Sequence, residues 1–153
     1  MNKAINWLDK ELQYRFTNID LFNQALTHRS ASKENNERLE FLGDAVLDFV
    51  VSEKLFILRP NASEGDLSKL RSFLVKETTL AALALELGLG EHLILGSGEL
   101  KAGGFRRESI LSDALEAVFG AVFLDQGFDA ARKVINHLYS GRYSELPELC
   151  DLR

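Results

Sequence analysis

At 153 residues, with 46% hydrophobic and 27% charged side chains, the chain has the composition of one globular domain, which excludes a disordered tail. Its formal net charge of −5 opposes non-specific attraction to phosphate backbones, so a nucleic-acid function must include something that overcomes that charge. One cysteine, Cys150, excludes an internal disulfide, and with only three histidines there is no Cys/His metal framework. No stretch approaches the roughly 18 apolar residues needed to span a bilayer, and the first residues lack a secretory apolar run. A cytoplasmic chain with no membrane partner and no organic cofactor is expected. Leu and Ala number 41 against 17 for Val, Ile and Thr, a balance that predicts an all-α fold.

In chain order, 2–13 and 18–28 read as short amphipathic helices, the second starting near Asn18 or Asp20. Residues 29–35 are a polar loop. A long helical pattern then runs over 36–58 and stops at Arg59-Pro60, because proline cannot continue it. Ser63 is placed to cap the next helix, with Asp66 completing part of a capping box. Another helix covers 77–87, punctuated by Gly88 and Gly90. Residues 96–107, with four glycines and four charges, read as a flexible connector. An apolar helix covers 108–124, and 128–139 is the last helix before a polar coil. No repeat or linker divides the chain, so 1–153 is one domain.

Two of these helices carry carboxylates in unusual company. On a wheel at about 100° per residue, Glu37, Glu40, Asp44 and Asp48 fall within a roughly 80° arc. For Glu37 and Asp48 a solvated helix-end face is an equally good reading. Glu40 and Asp44 form an i,i+4 acidic pair, which is destabilising unless a cation intervenes. In the helix over 108–124, Asp113 and Glu116 share one face. Leu111, Leu115, Val118, Phe119, Val122 and Phe123 surround them, so that helix should be buried. Beside them Ala117, Gly120 and Ala121 are small enough to let another backbone come close. Buried carboxylates neutralise or find a cation, and an all-oxygen ligand set suits Mg2+ or Mn2+ rather than zinc. Such an ion also answers the charge objection, since it can bind phosphate oxygens at an acidic site. These residues point to metal-dependent phosphoester chemistry.

The stretch Asn36-Glu37-Arg38-Leu39-Glu40-Phe41-Leu42-Gly43-Asp44-Ala45-Val46-Leu47 resembles the signature motif of the ribonuclease III family. Four more segments look like that family in the same order: Leu26–Ser30, Glu64–Ser68 with Arg71 following, Lys101–Glu108, and Ser112–Ala117. The resemblance covers essentially the whole chain. It implies an all-helical, dimeric endonuclease domain that hydrolyses double-stranded RNA with Mg2+, Mn2+ being a substitute. The implied products carry 5′-phosphate and 3′-hydroxyl ends with short 3′ overhangs, and the implied setting is processing of rRNA, mRNA and tRNA precursors.

The resemblance also implies residue roles. Glu40, Asp44, Asp113 and Glu116 would be the metal ligands, with Asp44 and Glu116 catalytic, and Glu37 and Glu64 would support the acidic cleft. On composition Phe41 is a core residue; the resemblance instead makes it an anchor that plugs a socket on the partner of a homodimer. Lys101, Arg106 and Arg107 are placed to contact RNA phosphates, or else are simply solvated. His28 reads as a structural brace. The family's usual double-stranded RNA-binding domain has no counterpart in this chain. Two rivals remain: a non-catalytic dimeric RNA-binding scaffold of the same fold, and a helical metal-dependent nucleotide hydrolase.

Overall fold

In a computed structural model, which describes residues 2–147, helical order begins at α1 (Asn2–Trp7). The expected first helix does not stay α-helical to its end: Leu8–Leu12 form a wider π-helical turn, closed by Gln13 in the left-handed region at φ 55°. The widening keeps both Leu8 and Leu12 buried. Next comes α2 (Ile19–Leu26), where the Asn18 side chain accepts a hydrogen bond from the Asp20 N–H. It ends before the expected residue 28 because Thr27 is extended and bridges to Ile94.

The long helix α3 spans Glu37–Leu58, and α4 spans Glu64–Val75 with Ser63 accepting from the Asp66 N–H, as its sequence predicts. Helix α5 (Glu77–Leu87) ends on Gly88 at φ 70°, the left-handed conformation that glycine adopts without steric cost. The connector over 96–107 is not the flexible segment its composition suggests. It folds into a short helix α6 (Ser97–Lys101) and a 3-10 turn, Gly104–Arg106. Two of its glycines, Gly96 and Gly104, serve close packing instead: a Cβ on Gly96 would lie 2.3 Å from the Ser30 carbonyl oxygen.

Helix α7 (Glu108–Gln126) runs two residues past its expected end, and α8 (Phe128–Ser144) runs five past the expected Tyr139. Tertiary contacts extend α8. The buried Tyr139 hydroxyl donates to the Leu74 carbonyl at 2.9 Å, Tyr143 is buried, and Arg142 pairs with Glu86. Gly141 therefore does not break the helix. Cys150 and Arg153 lie outside the described residues.

The architecture is all-α, with one isolated bridge in place of any sheet among the described residues. Helix α7 is the axis. Every residue from Ala114 to Val122 is buried, with α3, α5, α2 and α8 packed around it. Each of its fully buried Leu, Val and Phe side chains contributes about 1.5–3 kcal/mol of transfer free energy. Among the described residues, no helix is long and apolar enough to cross a membrane.

Candidate metal centre and cleft

The site begins with two glycines. Helices α3 and α7 cross with their backbones in contact: a Cβ on Gly43 would lie 1.7 Å from the Glu116 carbonyl oxygen, and one on Gly120 would lie 2.4 Å from that of Leu39. The small residues expected to admit a backbone on α7 include Gly120, which does so. Gly43, its counterpart on α3, is not legible from one helix alone, because its constraint comes from the other helix. Since Gly43 lies between Glu40 and Asp44, this close crossing carries the two acids of α3 onto those of α7.

The outcome is a knot of like charges. Ligand oxygens of Glu40, Asp113 and Glu116 all lie within 4.8 Å of one another. Asp44, exposed at the edge, is hydrogen-bonded to the Glu116 carboxyl. Glu116 is only 7% exposed. Burial, followed by the hydrogen bond and charge of Asp44 and the charges of Glu40 and Asp113, pushes its carboxyl up to about 9. Burial and the neighbouring acids Asp113, Asp44 and Glu37 raise Glu40 as well. Asp113 is raised by burial and by Glu77, against an opposing pull from His28 and Arg29. A partly buried all-oxygen group that cannot ionise comfortably fits a hard divalent cation, which would relieve the repulsion and take carboxyl oxygens among its ligands.

The cluster opens into a cleft of about 390 Å³ whose walls include Glu37, Glu40, Asp113, His28, Arg29 and Arg107. Asn36 fixes one side of it. Buried at the start of α3, it donates from its side chain to the Ala25 carbonyl at 3.1 Å, and its N–H donates to the Thr27 carbonyl. The capping of α3 falls instead to Asn35, whose side-chain oxygen accepts from the Glu37 N–H at 3.0 Å. His28 braces the loop as expected. Its Nδ1 accepts from the Ser30 N–H and lies 2.8 Å from the Ser30 hydroxyl, which in turn accepts from the Gly96 N–H.

The remaining predicted positions divide. Asp48 continues the acidic stripe, half-buried and raised by burial and Asp44 against the pull of Arg71. Glu37 lines the cleft and pairs with Arg29 at 3.7 Å. Glu64 sits exposed at the start of α4 and does not line the cleft. Arg107 is on the cleft wall, while Arg106 stacks over Phe105 and Lys101 is exposed; neither of these two lines the cleft. The composition-based core assignment of Phe41 is wrong, since 81% of the residue is exposed, on a face of α3 shared with the exposed Ala45, Phe49 and Phe56. Two charged cleft-lining residues, Arg29 and Glu99, were not among the predicted site residues. Both come from segments without helical periodicity, so no wheel could place them.

Comparison with known proteins gives the family. The Ribonuclease-III-like family model matches residues 18–142. The chain is 56% identical to the Ribonuclease 3 of Nitrosococcus oceani over 95% of its own length and 63% of that protein. It is 54% identical to the Ribonuclease 3 of Actinobacillus pleuropneumoniae over 91% and 62% respectively. The chain thus spans just under two thirds of these curated relatives. Among solved structures, the nuclease domain of the Campylobacter jejuni ribonuclease III superposes with a TM-score of 0.88 at 46% identity, covering 95% of this chain and 99% of that one. A Dicer from Pichia stipitis superposes at 0.67 with 28% identity, over 86% of this chain and 58% of that one. With a family match over most of its length and a whole nuclease domain covered at 46% identity, the chain belongs to the ribonuclease III-like family.

Proposed function

We propose that residues 1–153 form the catalytic domain of a homodimeric, Mg2+-dependent endoribonuclease that hydrolyses double-stranded RNA. The observation that carries this reading is the carboxyl cluster at the α3–α7 crossing. Membership of a family whose curated relatives are named Ribonuclease 3 supports the RNA substrate. The products proposed are 5′-phosphate and 3′-hydroxyl ends with short 3′ overhangs, made in cytoplasmic processing of rRNA, mRNA and tRNA precursors.

Glu40, Asp44, Asp113 and Glu116 would hold the cation, with Mn2+ able to replace Mg2+. A divalent ion there supplies Lewis acidity, making water a nucleophile near neutral pH and neutralising charge on the scissile phosphate. The chain's own contribution is to hold Glu40, Asp113 and Glu116 in a half-dry recess, with Asp44 at its exposed edge, against their repulsion, so that a cation rather than a proton satisfies them. Asp44 and Glu116, in contact with each other, are the pair proposed to hold and release the water proton. Glu37 lines the same recess, and Glu64 is proposed to support it in the assembled dimer. Arg107 is proposed to meet RNA phosphates from the cleft wall, with Lys101 and Arg106 reaching the flanking backbone. No side-chain nucleophile is required.

The dimer reading rests on Phe41 and its exposed apolar neighbours, a patch well suited to an isologous contact. A solved relative is described as flexible in a region involved in dimer formation of the nuclease domain. Two copies would present two sites, one for each strand of the duplex. The four carboxyls argue against a non-catalytic scaffold. The test is incubation with a long RNA duplex in Mg2+ and in EDTA. Internal cuts with 5′-phosphate ends in Mg2+ alone support the proposal. An uncut duplex overturns it, and release of mononucleotides without internal cuts favours a nucleotide hydrolase.

A further inference from the structure

Glu99, in α6, was not reached from sequence, and its surroundings are unusual. Its side chain is 18% exposed, and its Oε2 is buried without any hydrogen-bond partner. The nearest cationic group is Arg107 Nη1, 3.6 Å from that oxygen. The seat is made to measure: a Cβ on Gly104 would lie 2.6 Å from Glu99 Cγ and 2.7 Å from Oε2, so only glycine at 104 leaves the carboxyl room. Leaving a buried carboxyl oxygen without a donor is costly, and adding a further acid to the wall of an acidic cleft worsens repulsion toward a polyanion. The arrangement gains one thing in return. Arg107, 58% exposed on its side chain, is paired by charge with Glu99 on the cleft wall that Asp113 also lines, just before the first turn of α7.

We propose that Glu99 is a positioning residue: its carboxyl holds the Arg107 guanidinium over the acidic cleft, where that guanidinium meets a backbone phosphate of a bound RNA duplex. The inference rests on the duplex-RNA reading of the site. An unrestrained surface arginine loses rotamer freedom on binding phosphate, whereas one already held loses less. Glu99 therefore raises RNA affinity although its own charge opposes it. Charge and position predict opposite signs, which makes the role testable.

The experiment measures the Kd for a short fluorescent RNA duplex by anisotropy across a salt series. The Glu116→Gln background keeps the duplex intact, and melting curves check the fold of each variant. Arg107→Ala should weaken binding about tenfold and flatten the slope of log Kd against log salt by about 1. Glu99→Gln should weaken binding about threefold despite removing a negative charge, and have no further effect in the Arg107→Ala background. Gly104→Ala keeps every charge but evicts Glu99 from its seat, and should match Glu99→Gln; if it fails to fold, Glu99→Gln alone carries the test. Tighter binding by Glu99→Gln, or effects that add to those of Arg107→Ala, overturn the proposal. If Arg107→Ala changes nothing, the phosphate contact fails and the role of Glu99 with it. Mg2+-dependent cutting of duplex by the wild type would still stand in that case, which separates this failure from that of the nuclease reading.

Discussion

Helix α7 carries two acids that meet opposite fates. Asp125, near its C-terminal end, accepts from the Tyr14 hydroxyl at 2.7 Å, the Thr17 N–H at 2.9 Å and the Asn18 N–H at 2.8 Å. Burial pushes that carboxyl up, but these donors outweigh it and hold it below its ordinary value. Glu116, in the middle of the same helix, has other acids for company and is driven the other way, up to about 9. One carboxylate is satisfied by the protein and ties the N-terminal segment to the axis. The other has acids for neighbours, and a cation is the partner proposed for it. The contrast separates a structural acid from one proposed to be functional by the chemistry of its partners, since burial raises both.

The largest effect that would break the contrast is chemical. Glu116→Gln keeps the shape and removes the charge, so duplex cleavage in Mg2+ should fall on the order of a thousandfold or more, the scale set by losing water activation. Asp125→Asn should cut at the wild-type rate. Single-turnover rates on a labelled duplex decide this, and equal losses in the two variants would dissolve the distinction.

The crossing that makes the cluster comes next. Gly43→Ala places a methyl group 1.7 Å from a backbone oxygen, which neither helix can avoid without moving apart. A loss of about 1–3 kcal/mol or more is expected in urea denaturation, with cleavage falling alongside it. A variant of wild-type stability and activity would show that the close approach is dispensable.

The pH dependence sharpens the same comparison, with a sign for each acid. Without divalent ion, Glu116 in the fold keeps its proton up to about 9, while in the unfolded chain it gives the proton up near 4.5. The unfolded state therefore binds fewer protons across that window, and its contribution makes stability fall as pH rises from about 4.5 to 9. Glu116→Gln should remove that fall, and millimolar Mg2+ should offset it. Asp125 behaves conversely: its contribution is present above the ordinary aspartate value of 3.8 and is lost as pH drops through its lowered folded value. Asp125→Asn, which leaves donors poorly matched, should cost about 1–3 kcal/mol near neutral pH. Melting temperatures against pH for the three proteins check both signs.

The smallest effect on the chain itself belongs to Phe41. With 81% of the residue exposed, Phe41→Ala should leave the melting of a dilute sample almost unchanged, yet it should weaken self-association by roughly tenfold or more. Sedimentation at micromolar concentration measures this, and an unaffected dimer would remove Phe41 from the interface.

Periodicity alone put Glu40 and Asp44 on one helix face and Asp113 and Glu116 on another, and marked α7 as buried. That much was legible because a helix is a local object with a fixed pitch. The crossing itself was not, since the demand for glycine at 43 comes from a residue far along the chain. Two charged members of the cleft, Arg29 in a loop and Glu99 in the short α6, escaped for the same reason. Composition misled at two places. The glycines of 96–107 suggested flexibility where Gly96 and Gly104 permit tight packing, and the polar residues after Tyr139 suggested coil where Arg142 and Tyr143 extend the helix. The exposure of Phe41 contradicts hydrophobicity and agrees with the resemblance, which carries information about a partner surface that composition lacks.

Direct binding of Mn2+ to the isolated chain, followed by titration of its electron paramagnetic resonance signal, tests the central claim without any RNA. Wild type and Asp125→Asn should bind the ion with the same affinity, and Glu116→Gln should bind it at least about tenfold more weakly. Equal binding by all three would mean that the cluster at the α3–α7 crossing is not where the metal goes.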